Sequence, residues 1–369
     1  MVPIAESLAG CVIVITADRR KREMAAALER RGASVRLAPA LSTIPHLDDV
    51  RLVAATRDLI AAPPHIVVVT TGIGFRAWIE AADAAGIADD LLEVLHSVRL
   101  VARGPKARAA IVAAGLETDW VAESETIAEL REFLLADGVA GRRIAVQHHG
   151  NGSDGLDEAF VQAGADVLSL VVYSWGPPLD ASAHHAGIEA AANGECDAVV
   201  FTSAPGAGAW VESVRGLGQM EPIAELASSG RLLLEAVGPV TAAPLEAAEL
   251  CCRYPDRWRV GALVRDVVKH FTDPAGLVRT QAGTLSVRAT AAVLDGAVLP
   301  LTPSGLAIVR TLAAARGSVV TREQLSAVMP SGQGGAHAVD TAMSRLRDVA
   351  GRDLVKTVVK RGYALAVTR

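Results

Sequence analysis

Short aliphatic and β-branched runs alternate with amphipathic helical stretches along most of this chain, and no other feature limits its fold as tightly. VIVIT at 12–16 is followed by a stretch in which Met24, Ala27, Leu28 and Arg31 recur at helical spacing, with Asp18 as its expected cap and Gly32 as its stop. SVRLAP is the next strand, and the unit then recurs: HIVVVTTG from His65, VRLVARG from Val98, RIAVQHHG from Arg143 and ADVLSLVVY from Ala165. After Pro177 and Pro178 it starts again with CDAVVFTS from Cys196 and LLLEAVG from Leu232. Strands apolar on both sides, with helices between them, predict parallel sheets covered by helices on both faces. The strands outnumber those of one five-stranded unit, so two doubly wound lobes are expected rather than one wide sheet.

A weak internal repeat agrees with two lobes. HIVVVTTGIGFRAWIE resembles CDAVVFTSAPGAGAWVE, and RLVARGPKARAAIVAAGLET resembles LLLEAVGPVTAAPLEAAEL, in the same order. Trp78 and Trp210 fall at core positions of the repeated helix. Aromatic residues make up only 4% of the 369, so the cores must be aliphatic. The four cysteines form no CxxC pair, and Cys251 and Cys252 are adjacent, so neither a disulfide framework nor a structural zinc site is expected. No metal site and no cofactor is expected. The N-terminal basic cluster follows its apolar run, the reverse of a signal peptide, and no clean run of 18 apolar residues occurs. The chain is therefore read as cytoplasmic, with no membrane partner.

The formal net charge of −5 conceals a division. Residues 279–369 hold 12 basic and 5 acidic side chains, a net of +7, and the first 278 residues carry a net of −12. An acidic body with a basic tail points to nucleic acid as a partner of the tail. FTDPAGLVRTQAG, from Phe271, reads as a linker at 273–283 where the sign changes.

From Thr284 the pattern becomes short strands with a turn at Asp295-Gly296, then three helices and a hairpin. The first helix opens at Thr302 and Pro303, and the second at Thr321 with Glu323 and Gln324 following. In the third, Val339, Ala342, Met343 and Leu346 share the core face, while His337, Thr341, Ser344, Arg345 and Asp348 point outward. LT at 301–302, VDTAMSRLR at 339–347 and KTVVKRGYAL at 356–365 resemble, in order and spacing, the winged-helix DNA-binding domain of OmpR/PhoB-type response regulators over about the last 85 residues. The resemblance implies that the third helix enters the major groove and that the terminal hairpin, the wing, touches phosphates. Thr341, Ser344 and Arg345 are then candidate base or groove contacts, and Arg347, Thr357, Lys360 and Arg361 candidate phosphate contacts. Gly362 would form the wing turn and Tyr363 would pack the wing onto the domain. The family's usual Glu in the first helix is Gly305 here. A homodimer on repeated half-sites is the assembly this type of domain suggests.

The body is not the receiver domain that precedes such tails, because no strand ends in the required phosphoacceptor aspartate. Its ordered motifs instead resemble uroporphyrinogen-III synthase over about residues 10–270: TTG at 70–72, ARGPKAR at 102–108, HHGNG at 148–152, VVY at 171–173, FTSAPG at 201–206 and AVGPVTAA at 236–243. The implied fold is α/β, with two flavodoxin-like doubly wound lobes joined by a two-strand linker, plus the C-terminal winged-helix domain. Lobe one would hold 1–40 and 176–272, lobe two 41–175, the body 1–272 and the tail 284–369. In that family hydroxymethylbilane loses its terminal hydroxyl, and the ring closes with inversion of the last pyrrole. The protein's main task there is to hold a chain of eight carboxylates in a folded shape. The resemblance makes Tyr173 the candidate catalytic residue. Thr70, Thr71, Gly72, Arg103, Lys106, Arg108, Thr202, Ser203 and Thr241 are the candidate ligand-binding residues, with helix N-termini as further donors. N-capping alone also accounts for the Thr and Ser residues at these turns. The chain departs from the family at Ala107 and Arg108, at His149, and in TADRR at the first strand.

Three readings follow. A synthase-like body that senses a small anionic ligand, of linear tetrapyrrole type, makes the chain a transcription regulator; a working synthase with an appended DNA-binding module is the enzyme alternative; a scaffold for another regulator is the third. The pairs His148-His149 and His184-His185 are expected to be solvated loop residues, and GNGSDG at 150–155 lacks the GK[ST] of a phosphate-binding loop.

Overall fold

The computed structural model describes residues 7–45, 50–148, 155–330 and 336–368. The chain opens with β1 (Val12–Ile15), α1 (Lys21–Glu29) and β2 (Ser34–Leu37), then enters a connecting strand, β3 (Ser42–Pro45). Next come α2 (Val50–Ala61), β4 (Ile66–Val69), α3 (Gly72–Ala84), α4 (Ala88–Ser97), β5 (Arg99–Ala102), α5 (Pro105–Ala113) and β6 (Trp120–Val121). They are followed by α6 (Ile127–Asp137), β7 (Arg143–His148), α7 (Leu156–Gln162), β8 (Asp166–Val171) and the second connecting strand, β9 (Tyr173–Gly176). The body closes with α8 (Ala181–Ala192), β10 (Ala198–Phe201), α9 (Ala204–Gly216), α10 (Met220–Ser228), β11 (Leu233–Ala236), α11 (Pro239–Glu246), β12 (Cys252–Arg253) and α12 (Val260–Thr272).

Two wholly parallel five-stranded sheets result. Lobe one has the order β12-β11-β10-β1-β2 and lobe two the order β6-β5-β4-β7-β8. β3 and β9 pair antiparallel, with Ser42 opposite Gly176 and Pro45 opposite Tyr173. Lobe one has the flavodoxin order 2-1-3-4-5 in its own chain sequence. Lobe two has the same spatial order only when β7 and β8 are counted as its first two strands. The chain is therefore two successive five-strand repeats that exchange their leading pairs: β1 and β2 join β10–β12, while β7 and β8 join β4–β6. This explains why HIVVVTTG and CDAVVFTS look alike, because β4 and β10 are each the central third strand of a sheet. The chain divides at Leu41/Ser42 and Gly176/Pro177 into one unit holding lobe two and another holding lobe one with the tail.

The central strands β1, β4 and β10 are buried on both faces, as their uninterrupted apolar runs require, while the edge strands β2 and β8 are partly exposed. Trp78 and Trp210 are both buried, and Trp78 Nε1 donates to Thr56 Oγ1 at 2.9 Å. Asp18 does not cap α1. Arg20 occupies the N-cap with φ of 53°, and Asp18 instead lies 3.4 Å from Lys21 Nζ.

The tail begins with a four-stranded antiparallel sheet: β13 (Val278–Thr280), β14 (Gly283–Val287), β15 (Ala292–Leu294) and β16 (Ala297–Val298). Helices α13 (Pro303–Ala314), α14 (Arg322–Ala327) and α15 (Ala336–Ala350) follow, then the wing strands β17 (Val355–Val358) and β18 (Gly362–Leu365). β13 lies inside the segment read as linker. Its partners are non-local: it pairs with β14, Thr280 bridges Val367, and Gln281 N–H donates to Ala366 O at 2.7 Å. Thr302 caps α13 with Pro303 in the first turn, and Thr321 with Gln324 forms a capping box on α14. At Gly305, where the family has Glu, a Cβ would meet nothing closer than 3.5 Å, so this departure leaves the helix packing intact.

Candidate functional site

In lobe two the candidate residues gather at the C-terminal edge of the sheet. Thr70 Oγ1 donates to Gln147 O at 2.7 Å, and Thr71 caps α3 by accepting the Gly74 N–H at 3.1 Å. A Cβ on Gly72 would overlap the Lys106 carbonyl, so glycine here lets the first turns of α3 and α5 touch. Pro105 occupies the first turn of α5, and Lys106 and Arg108 are exposed on it. Arg103 follows the C-terminal end of β5, half-buried, its N–H bonded to Val69 O at 3.0 Å. Two helix N-termini and exposed cations thus share one edge, a geometry that receives anionic groups.

Lobe one repeats the arrangement with other residues. Ser203 caps α9 by accepting the Gly206 N–H at 3.3 Å, with Thr202 half-buried beside it. Thr241 is buried in the first turn of α11, which starts at Gly238-Pro239. The Trp258 ring lies over Gly238, where a Cβ would approach Trp258 Cγ to 2.8 Å. Tyr173 is on neither edge. It lies on β9 and is buried in the apolar cluster of lobe two with Leu170 and Val172, its ring edge-on to Trp175 at 5.2 Å.

Sequence reasoning missed Gln147. This buried side chain accepts the Thr71 N–H at 3.3 Å and also bonds the His148 carbonyl, so it ties the TTG turn to β7. A polar residue ending the apolar run RIAVQ was the available signal. Two of the four histidines are not the solvated loop residues expected. His148 ends β7, fully buried, with Nε2 2.9 Å from Asp157 Oδ1. His184 is buried in α8 while His185 is exposed, because neighbours on a helix point about 100° apart. Burial pushes the His184 imidazole below its ordinary range. His149 and residues 150–154 of the GNGSDG motif lie outside the described residues. Among the described residues no group of three or more His, Cys, Asp or Glu is placed to hold a metal ion, and no helix is long and apolar enough to cross a membrane.

On the tail, Val339, Met343 and Leu346 of α15 are buried, and Thr341, Ser344 and Arg345 are exposed. Thr341 Oγ1 donates back to His337 O at 2.9 Å, while Arg345 makes no hydrogen bond or ion pair among the described residues. Arg347 is used within the domain: its Nη2 donates to Thr357 Oγ1 at 2.7 Å and to Val355 O at 3.2 Å, fixing α15 to the wing. Lys360 and Arg361 stand exposed at the wing turn, Lys360 with φ of 60°. Tyr363 packs the wing inward, its hydroxyl donating to Asp340 Oδ1 at 2.6 Å, while Arg322 Nε donates to the same oxygen at 3.0 Å. These two donors hold the Asp340 carboxyl below its usual range. Arg322 and Arg347 also lie over the Tyr363 ring, at 5.0 and 5.7 Å.

Comparison with known proteins bears on both parts. The pattern of uroporphyrinogen-III synthase HemD matches residues 22–265, and that of the C-terminal domain of transcriptional regulatory proteins matches 296–365. A mutant uroporphyrinogen-III synthase from the extremely thermophilic bacterium Thermus thermophilus is 26% identical, with a TM-score of 0.56 over 71% of this chain and 98% of that one. The uncharacterized Bacillus subtilis (strain 168) protein YjjA is 25% identical over 73% of this chain and 99% of its own length. The DNA-binding domain of Escherichia coli CpxR is 30% identical over 24% of this chain and 94% of that one, with a TM-score of 0.22. The tail is an OmpR/PhoB-type DNA-binding domain.

Proposed function

The chain belongs to the uroporphyrinogen-III synthase family and carries a DNA-binding tail, and from that premise we propose that it is a cytoplasmic transcriptional regulator whose body binds a small anionic ligand of linear tetrapyrrole type. One observation carries the regulatory reading: α15 presents Thr341, Ser344 and Arg345 together on one exposed face, beside a wing turn bearing Lys360 and Arg361. That pattern suits groove readout by the helix and phosphate neutralisation by the wing. Thr357 and Arg347, bonded to each other, set the wing angle and leave phosphate contact mainly to Lys360 and Arg361. In the body, the paired helix N-termini with Lys106 and Arg108, and the equivalent turns at Thr202-Ser203 and Thr241, supply donors for carboxylates. Ligand-driven change between two body states would alter DNA affinity, and a homodimer would read repeated half-sites.

The test uses an operator selected from random duplexes with the full chain. Arg345→Ala is expected to lower affinity for that operator about 10- to 100-fold, the loss of a bidentate base contact, and to leave weak binding to unrelated duplex. Undiminished operator affinity would remove α15 as the recognition helix. Family membership also keeps the enzyme reading in play. Freshly generated hydroxymethylbilane decides it: isomer III above the spontaneous isomer I would establish turnover, and isomer I alone would end that reading. If turnover occurs, Tyr173→Phe is expected to slow it; an unchanged rate would make Tyr173 a packing residue of lobe two.

A further inference from the structure

The tail docks on lobe one at the sheet edge opposite to the candidate ligand turns. Thr202 and Ser203 follow the C-terminal end of β10, whereas Asp197 immediately precedes its N-terminal end. Asp197 accepts the Val12 N–H of the lobe at 2.8 Å and the Ala289 N–H of the tail at 2.7 Å, so one buried carboxylate serves both sides. Arg288 Nη2 donates to Phe271 O at 2.9 Å, and its guanidinium lies 5.0 Å over the Phe271 ring. Arg310 Nη2 donates to Ala289 O at 2.7 Å, and Arg316 Nη2 to Ala275 O at 2.9 Å.

Beside these contacts lies a cavity of about 480 Å³, large enough for a metabolite-sized molecule. Four guanidiniums line it: Arg231 from the lobe, and Arg288, Arg310 and Arg316 from the tail. Its two carboxylates, Asp197 and Asp273, are already engaged by backbone N–H groups. Among the described residues none of the four arginines has a carboxylate in ion-pair contact. Arg310 is depressed from its ordinary value, by burial first and then by repulsion from Arg231. Like charges converging on one space are costly; Asp197 offsets part of that repulsion at Arg288 and Arg310 but forms an ion pair with neither, which leaves the four cations in excess over the two carboxylates. Phe271, Leu285 and Val287 complete the wall with apolar surface.

We propose that this junction cavity is a second ligand site, taking a small phosphorylated organic molecule whose phosphate is held between Arg231 of lobe one and Arg310 of the tail. Guanidinium forks match phosphate oxygens in pairs, and the apolar wall would take the organic part. Because both sides contribute, the bound molecule strengthens docking of the tail. The proposal does not rest on the ligand assigned to the strand-end turns.

Inorganic pyrophosphate, titrated calorimetrically into the full chain at constant ionic strength, tests it. Saturable binding of one pyrophosphate per chain is expected, with Kd below about 1 mM. Arg231 is exposed and, among the described residues, makes no hydrogen bond to the tail, so Arg231→Ala and Arg231→Glu should not lower the melting temperature of the unliganded protein. They should weaken binding at least tenfold, Glu more than Ala. No saturable binding to the unsubstituted chain, or binding equally tight in both variants, would overturn the assignment.

Discussion

Replacing Gly362 with valine is expected to abolish DNA binding and to lower the melting temperature of the tail by more than about 10 °C, while both lobes keep their fold. Gly362 has φ of 138°, where a side chain is strained whatever the space around it. Space is also lacking, since a Cβ would overlap the Val320 carbonyl and lie 3.0 Å from Thr321 Cα. That carbonyl accepts the Tyr363 N–H at 2.9 Å, and Tyr363 O accepts the Val320 N–H at 2.8 Å. Valine must therefore break the bridge that joins the wing to the segment leading into α14. Strain plus a lost bridge costs on the order of 3 kcal/mol or more, and in a domain of this size each kcal/mol moves the melting temperature by about 4–8 °C. Circular dichroism melts and duplex binding at low salt measure both effects. An unchanged melt with retained DNA affinity would show that the wing accommodates a side chain.

The second large effect lies in lobe one. Glu235 is fully buried on β11, and burial, reinforced by the neighbouring Asp266 carboxylate, pushes its pKa up to about 8. Arg253 opposes the shift but is itself paired with Asp266 at 3.3 Å. In the unfolded chain Glu235 ionises near its ordinary value of 4.5. Below that value both states are protonated and the fold bears no penalty. As pH rises toward 8 the unfolded state releases a proton that the folded state retains, and stability falls. Each pKa unit corresponds to about 1.4 kcal/mol, so the full penalty is on the order of 5 kcal/mol at pH 9. His270, on the same side of α12, acts at the other end of the range: burial first, then Arg253, depresses it, so its contribution is lost as pH falls below its ordinary 6.5. Between pH 7 and 8 the slope belongs mainly to Glu235; nearer pH 9 burial of the Cys11, Cys196 and Cys252 thiols, pushed up to about 12, adds a fall of the same sign. The native protein is expected to lose melting temperature across that window, and Glu235→Gln, which keeps shape without charge, to flatten the profile. Parallel profiles for the two proteins would refute a buried proton at this site.

Much of the site follows from local sequence. The turns at Thr70-Thr71-Gly72 and Thr202-Ser203 could be placed because apolar runs end there and small residues begin. The outward face of α15 followed from the spacing of Val339, Met343 and Leu346. Gln147 could not be assigned, because its partners Thr71 and His148 become meaningful only when β4 and β7 lie side by side. Arg347 looked like its exposed basic neighbours, and only the approach of Thr357 on β17 reveals that it holds the wing. His148 could not be separated from His149 by type, since its burial depends on Asp157 of α7.

Periodicity and turn chemistry, which act over a few residues, were enough to determine strands, helices, the outward face of α15 and the two-lobed class. The exchange of β1-β2 for β7-β8 between the repeats was decided by tertiary structure, because pairing partners such as Ile66 and Ile144, or Ile13 and Ala198, are too far apart in the chain to leave a local pattern. The same holds for β13, whose strand character comes from β14 and Val367. It holds most of all for the junction of lobe one and tail, where no motif or spacing singles out Asp197, Arg231, Arg288 and Arg310. Only folding brings them together in a partly dry space, and there the low dielectric turns scattered charges into a site.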